Sequence, residues 1–400
     1  LYQADFRYFF SAQFLSYIGT WMQDTAKTWI ILGILGGTAT SVGILMFATA
    51  IPNVFFLSLA GGLADRVGPR KVLVFTQVAL ALTSALLGVF VFTGVVSFPL
   101  LVALAFVEGV AVAFDVPAFN LVTPRLVERK DFQQSLALNS VAFHLSRVLG
   151  PAVAGVVLAK FGVEEVFFVN ALSFLLIVHV IRVIKFREPE LKHPDKKDSG
   201  TLREVFRFLR NHPLFFRIMC QFMLVMTLLF PLVFTTLRVI LKTRLVLTEA
   251  EFGYFMAAPG LGALLGSMCF LAIKPKNPYT VLPYGLAGIV VFLLMLAETH
   301  TRFFMGLNTI LFSFCMFLTM SALLVTVQLR VEERIRGRVS ALIGFSFVAV
   351  SPIMAVPVGL LTDLWGARSL IWVVAISFSV LTLGLYYYTR HHRISDAEIA

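Results

Sequence analysis

Long apolar runs separated by short charged or Gly/Pro-rich breaks fill the chain from end to end. They fall near residues 8–35, 41–63, 72–94, 98–121, 136–159, 164–184, 214–241, 251–273, 280–297, 303–327, 339–361 and 369–389. Each is close to or above the roughly 20 residues that a helix needs to cross about 30 Å of hydrocarbon. The pattern predicts twelve membrane-spanning helices joined by short loops. Charge alternates between those loops. The connections after runs 2, 4, 6, 8 and 10 carry Arg66, Arg70 and Lys71; Arg125, Arg129 and Lys130; a basic segment from Lys185 to Arg210; Lys274 and Lys276; and Arg330, Arg334, Arg336 and Arg338. Opposite loops such as Gly36-Gly37-Thr38 and Thr93-Gly94-Val95-Val96-Ser97 have no charge. Because Lys and Arg accumulate on the cytoplasmic side, both termini are expected there.

Composition sharpens this picture. Of 400 residues 58% are hydrophobic and only 14% charged, where a soluble domain carries about a quarter charged. Twelve spans use nearly the whole length, so an extramembrane catalytic domain has no room. The formal net charge of +11 is absorbed by the cytoplasmic loops and needs no nucleic acid to explain it. Cys220, Cys269 and Cys315 lie inside apolar runs without metal-ligand spacing, which predicts packing residues, no metal and no cofactor. The first run is too long and too polar at its centre for a cleaved signal peptide and reads as a retained span. No nucleotide-binding glycine loop ends in Lys-Ser/Thr, and no nucleophile stands at catalytic spacing from a base. The residues therefore predict neither an ATP-driven pump nor an enzyme.

One long polar segment divides the chain, giving residues 1–186, a cytoplasmic linker 187–212, and residues 213–400. A weak repeat supports the division. Val127-Glu128 before Ala137-Leu138 matches Val331-Glu332 before Ala341-Leu342, and Gly155 with Gly162 matches Gly359 with Gly366 at the same offset; Gln13-Phe14 recurs as Gln221-Phe222. Six spans per half put both repeats in one orientation, as in secondary transporters with a site between the halves.

The connection Gly61-Gly62-Leu63-Ala64-Asp65-Arg66-Val67-Gly68-Pro69-Arg70-Lys71 packs four charges and three glycines between two apolar runs and reads as a cytoplasmic loop after run 2. Its Gly61-x3-Asp65-Arg66-x-Gly68-x-Arg70-Lys71 spacing resembles the loop 2–3 signature of the major facilitator superfamily. The resemblance covers essentially the whole chain. It implies an all-α integral membrane protein of twelve transmembrane helices in two six-helix pseudo-symmetric halves. It also implies that Asp65, Arg66 and Arg70 latch the halves in the outward-open state. The turn of the second half, Ile273-Lys274-Pro275-Lys276-Asn277-Pro278, has no Asp, so the latch is expected on one side only. Gly61 is expected to let two helices approach closely.

A narrower resemblance lies in Gly19-Thr20-Trp21-Met22-Gln23, Asp115-Val116-Pro117-Ala118, Asn139-Ser140, Arg147 to Gly155 and Asn170-Ala171-Leu172-Ser173-Phe174. These look like the bacterial exporter branch that includes the enterobactin exporter and many multidrug exporters. Gly150-Pro151-x3-Gly155 is similar to the span 5 motif that the superfamily associates with antiport. Two positions depart from pattern: Ala105 stands where drug/proton antiporters carry a basic residue in span 4, and Phe119 where the branch often has Arg.

Ionisable residues deep in a span are costly, by roughly 2.5–3.5 kcal/mol on insertion scales, so each is a candidate for function. Span 1 carries Gln23, Asp24 and Lys27, span 4 Glu108 and Asp115, and span 5 His144 and Arg147. Asp24 and Lys27 share a helical face and form either an internal pair or part of a coupling site. Glu108 and Arg147 reach similar depth from opposite sides, and an ion pair between them would open and close as a proton is exchanged. Asp115 either joins that coupling or caps a helix break beside Pro117. His144 titrates near neutral pH if exposed and otherwise packs. The second half offers Gln221 and Asn308 as cavity candidates, with Met316 and Met320 among Phe and Met residues that either line an adaptable apolar wall or simply pack.

Together these expectations describe a proton-coupled exporter of amphipathic small molecules, drugs or siderophore-like compounds. It would lie as a monomer among the lipids of a bacterial inner membrane. A lipid or lysophospholipid flippase of the same fold, and a non-transporting membrane sensor, remain as alternatives.

Overall fold

The computed structural model describes residues 4–184, 202–331 and 333–391, and among them there is no β-strand. Helix is the form in which a single apolar segment satisfies its own backbone groups without water. The elements are α1 (Ala4–Trp29, continued by a π-helical turn at Ile30–Ile34), α2 (Ala39–Val67), α3 (Pro69–Phe92), α4 (Phe98–Val122), α5 (Phe132–Lys160) and α6 (Val163–Val183). After α7 (Leu202–Asn211) come α8 (Pro213–Leu224), a π-helical turn at Val225–Leu229, α9 (Phe230–Phe234) and α10 (Thr236–Thr243), which together make one membrane-length rod. The remainder are α11 (Glu249–Ile273), α12 (Leu282–Glu298), α13 (Arg302–Arg330), α14 (Glu333–Phe345), a third π-helical turn at Ser346–Val350, α15 (Ser351–Trp365) and α16 (Ala367–His391). Among the described residues eleven segments are long and apolar enough to cross a membrane. The twelfth is α1, whose apolar character is diluted by Gln13, Gln23, Asp24 and Lys27.

Two breaks differ from their expected form. The stretch from Gly61 is not an irregular loop: α2 continues through Val67, α3 starts at Pro69, and only Gly68 lies between them. Gly68 adopts φ 95°, ψ 131°, a conformation that needs glycine, and its N–H still bonds the carbonyl of Ala64 at 3.2 Å. Pro69 then opens α3, where its missing N–H costs nothing. A Cβ at Gly61 would meet nothing within 4 Å, so the close helix approach expected there is not made. The second difference is α7: the polar segment 187–212 contains a ten-residue helix that is separated from α8 only by His212.

The described chain forms two compact units. The first holds α1–α6 together with Leu241–Ala257; the second holds the rest. In the first, α1 packs on α5 and α6, α2 on α4, and α3 on both α4 and α6. An apolar cluster of Phe6 and Phe9 (α1), Leu73 (α3), Ala118 and Val122 (α4), and Ile177 and Ile181 (α6) knits one end of this bundle. Tight crossings elsewhere rest on small residues, as in other membrane helices. A Cβ at Gly109 would lie 2.9 Å from the Thr49 carbonyl carbon and 3.1 Å from Pro52, so α4 sits directly on α2. In the second unit a Cβ at Gly262 would lie 2.8 Å from that of Ser313, and one at Gly288 3.3 Å from that of Cys315. Gly162 and Gly366, paired by the sequence repeat, both have positive φ, 114° and 78°, at corresponding helix ends.

Candidate functional site

The first unit buries a charge pair inside a polar network that joins four helices. Lys27 of α1 and Glu108 of α4 form an ion pair with side-chain exposures of 6% and 13%. Gln23 lies one turn before Lys27 on the same face, and its Nε2 donates to Glu108 Oε2 at 3.3 Å. Gln23 Oε1 accepts from Ser84 Oγ of α3 at 2.6 Å and from Asn170 Nδ2 of α6 at 2.7 Å. The Asn170 amide on its oxygen and the Glu108 carboxylate beyond its nitrogen set the Gln23 amide with its NH2 aimed at Glu108, while the Ser84 hydroxyl is shared with the Phe167 carbonyl at 2.8 Å. Ser173 Oγ lies 2.8 Å from the Asn170 carbonyl and 3.1 Å from Asn170 Oδ1, and its single proton is shared between them. Gly19 makes room for this arrangement, since a Cβ there would lie 3.1 Å from both Asn170 Cγ and Ser173 Oγ and would strike Asn170 Oδ1. Desolvating two charges is expensive, and the Gln23 bond offsets part of that cost by occupying a lone pair of Glu108.

The pairing corrects two expectations. Glu108 meets Lys27 rather than Arg147, and the Lys27 ammonium reaches across to α4 rather than along α1 to Asp24. Equal depth places residues on one level of a bundle but does not set the direction they face. Among the major packings α4 lies against α2 and α3, while α5 lies against α1 and α6. Asp24 is half-buried, and its backbone carbonyl accepts from Thr28 at 2.9 Å.

Arg147 is buried beside α1, with its guanidinium carbon 5.2 Å from the centre of the Trp21 ring, a cation–π geometry. Phe143 packs edge-on against Tyr17 and Trp21, and the Tyr17 hydroxyl donates to Asn139 at 3.3 Å. His144 is half-buried with its ring edge-on to Phe143, and its Nδ1 is buried without a hydrogen-bond partner. The span 5 motif explains how α5 reaches these neighbours. A Cβ at Gly150 would lie 2.9 Å from the Ile18 carbonyl oxygen, and Pro151 is buried beside it. One turn on, a Cβ at Gly155 would lie 2.8 Å from the Ala250 oxygen and 2.9 Å from Gly253 Cα, so Leu241–Ala257 seats directly on α5. That segment also brings Lys242 Nζ to 3.6 Å from the Trp29 ring centre and Phe252 to 5.3 Å.

Asp115, two turns beyond Glu108 on α4, has a different environment. It is half-buried, and Oδ1 accepts from Thr76 Oγ1 at 2.6 Å and Gln77 Nε2 at 2.9 Å, both on α3. It forms no ion pair among the described residues. In the loop 2–3 stretch, Arg70 Nη2 donates to the Arg182 carbonyl at 2.7 Å, which caps the end of α6, while Arg66 and Lys71 are exposed. The Asp65 side chain lies outside the described residues.

The second-unit candidates are dispersed. Gln221 donates to Thr382 at 3.2 Å, and Asn308 donates to Thr299 at 2.8 Å across the α12–α13 turn. Met316 and Met320 are buried in the packing of the unit, as are Phe222 and Met226. Two arginines are buried there against rings: Arg217, which the sequence reading did not single out, between Tyr279 and Tyr386, and Arg238 on Phe234. Among the described residues no group of three or more His, Cys, Asp or Glu could hold a metal ion. Thr76, Gln77 and Ser84 were also missed, although their spacing within one apolar run, Gln77 and Ser84 seven apart, marks a polar stripe on α3.

An all-helical chain of membrane-crossing rods with ionisable side chains buried among them is the architecture of a membrane transporter. The chain belongs to the transmembrane secretion effector family of the major facilitator superfamily, whose model matches residues 1–385. It is 22% identical to the staphyloferrin A transporter of Staphylococcus aureus (strain NCTC 8325 / PS 47), over 98% of each chain. It is 23% identical to the multidrug efflux pump Tap of Mycolicibacterium fortuitum, over 92% of this chain and 91% of that one. Its fold superposes on the crystal structure of a bacterial homologue of the human lysosomal transporter Spinster, in an inward-facing and occupied conformation. That match has a TM-score of 0.77 at 12% identity and covers 96% of this chain and 97% of that one. The protein is therefore a multi-pass membrane transporter and not an enzyme.

Proposed function

We propose that this chain is a proton-coupled exporter of amphipathic small molecules, drugs or siderophore-like compounds, working by alternating access. The observation that carries the reading is the Lys27–Glu108 pair held by Gln23, Ser84 and Asn170 within one unit. Intramembrane charge at this cost is kept where it moves ions or substrate, and relatives named for siderophore transport and multidrug efflux support the direction and the substrate class. The halves 1–186 and 213–400 act as the two moving bodies, and Asp65, Arg66, Gly68, Arg70 and Lys71 form the gating turn between the second and third spans. Both termini lie on the cytoplasmic side of a bacterial inner membrane, where the loop charges place them, and the working unit is a monomer.

The test uses purified protein in proteoliposomes with Hoechst 33342 as the transported probe. An imposed pH gradient should drive probe movement, reversing the gradient should reverse it, and collapsing it with a protonophore should stop it. Movement indifferent to the gradient would remove proton coupling, and absence of counterflow exchange would remove transport of this substrate class. Asp65→Asn should slow exchange while leaving probe binding intact; loss of binding would contradict the gating assignment.

A further inference from the structure

The two carboxylates of α4 sit in opposite environments, and the difference assigns them different work. Protonating Glu108 would leave Lys27 a buried cation without its carboxylate, which is the costly way to break a buried pair. Protonating Asp115 removes a negative charge and strands no cation, because its partners are the neutral Thr76 and Gln77. Where two acids on one element have environments that separate them so clearly, one is held ionised and the other is free to change state.

The hydrogen bonds at Asp115 suit both states. Thr76 Oγ1 lies 2.6 Å from Asp115 Oδ1 and 3.0 Å from the Leu73 carbonyl, and its single proton serves only one of them at a time. With Asp115 ionised, the hydroxyl donates to the carboxylate. With Asp115 protonated, the new O–H donates to Thr76 Oγ1 and the hydroxyl turns to Leu73. One hydroxyl rotation thus exchanges two hydrogen-bonded arrangements. Gln77 is 3% exposed, and its Oε1 is buried without a partner, on the same amide that holds Asp115. A buried acceptor left open beside a carboxyl group is a place for a donor to arrive.

Among the described residues no charged side chain hydrogen-bonds or ion-pairs with Asp115. From α3 the groups facing Asp115 are Thr76 and Gln77, and from α1 Tyr17 lies within electrostatic reach with its hydroxyl given to Asn139. On α2 no ionisable residue precedes Asp65, and Arg66, Arg70 and Lys71 are exposed at the ends of α2 and α3. Asp115 lies seven residues before the end of α4 at Val122, about 10 Å at the helical rise. That is the end where the basic turn between α2 and α3 also lies, as the Thr76 and Gln77 bonds on the first turns of α3 require.

We propose that Asp115, positioned by Thr76 and Gln77, takes up and returns the coupling proton, while the Lys27–Glu108 pair stays ionised through the cycle. This rests on the proton-coupled reading above. In the step, a proton adds to one carboxylate oxygen of Asp115 to form an O–H bond and leaves by the same bond, with no other bond made or broken.

The test is infrared difference spectroscopy of reconstituted protein across a pH titration, paired with Hoechst 33342 flux in the same proteoliposomes. The wild type should show a protonated-carboxyl band that titrates. Asp115→Asn should erase the band and abolish gradient-driven flux while retaining counterflow, and Glu108→Gln should leave the band in place. Thr76→Val, which removes a donor to the carboxylate, should move the midpoint of the titration to higher pH; a merely structural Thr76 would leave it where it is. This variant carries the test should Asp115→Asn not fold. A band that survives Asp115→Asn or disappears with Glu108→Gln, while the pH gradient still drives flux, overturns this assignment and leaves the exporter reading standing. Wild-type flux that ignores the gradient overturns both.

Discussion

The two units handle polar side chains in opposite ways. In the first, Gln23, Ser84, Glu108 and Asn170 from four helices share one network around a carboxylate–ammonium pair. In the second, the described contacts are smaller: Gln221 pairs with Thr382 and Thr236 with Thr362, and Arg217 and Arg238 lie against aromatic rings. One carboxylate–guanidinium contact of this unit is at a rim: Arg368 grips Glu298 with bonds of 2.9 and 2.6 Å, joined by Trp372 Nε1 at 2.8 Å. A network concentrates the consequence of changing one member, whereas isolated pairs confine it. The first unit is therefore where a single substitution reaches several helices at once.

That contrast can be broken by substitutions of graded effect. The largest loss is expected from Lys27→Met, which leaves Glu108 buried without a counter-charge. Removing one partner of a buried pair costs roughly 3–5 kcal/mol, and thermal unfolding in detergent should register it. The double variant Lys27→Met/Glu108→Gln should recover most of that loss. Failure to recover would mean that the two residues do not act as a pair.

Next comes Asn170→Leu, which takes one of two donors from Gln23 Oε1 and loosens the amide aimed at Glu108. A buried acceptor left short costs about 1–3 kcal/mol, and the same variant should perturb gradient-driven flux. Gln221→Leu is the matched change in the second unit. There a net hydrogen-bond contribution of about 0.5–1.5 kcal/mol is at stake, with flux unaffected. Equal effects of Asn170→Leu and Gln221→Leu on flux would erase the distinction between the units.

The smallest effect belongs to Glu298→Gln. Both partners of that clamp are exposed, so solvent and salt screen the interaction. Its thermal shift should be slight and should vanish at high salt. A shift as large as that of Lys27→Met would show that the rim, not the buried pair, holds the helices.

Much of the architecture was legible in the chain itself. Gly162 and Gly366 were matched by repeat offset alone and both adopt positive φ. The polar residues of α1 were visible as an interruption of an apolar run, and two of them, Gln23 and Lys27, enter the buried network. Reading went astray where it needed direction around a helix axis. Depth along the membrane paired Glu108 with Arg147, but α4 turns to α2 and α3 while α5 turns to α1 and α6, and Trp21 receives the guanidinium instead. The Gly61–Lys71 stretch was taken for a loop because charge and glycine usually mark one, yet Gly68 alone makes the turn.

What the amino-acid sequence determined by itself was the solvent of each segment: hydrophobic length, loop charge and motif spacing place the spans in a membrane, because transfer free energy depends on composition more than on neighbours. What only the tertiary structure decided was which polar groups meet. The contacts of Gln23 are with Ser84 and Asn170, which lie 61 and 147 residues away, and those of Asp115 are with Thr76 and Gln77 of another helix. Hydrogen bonds act over about 3 Å and within narrow angles, so their partners follow from how helices are turned against one another, which the apolar pattern along one helix does not encode.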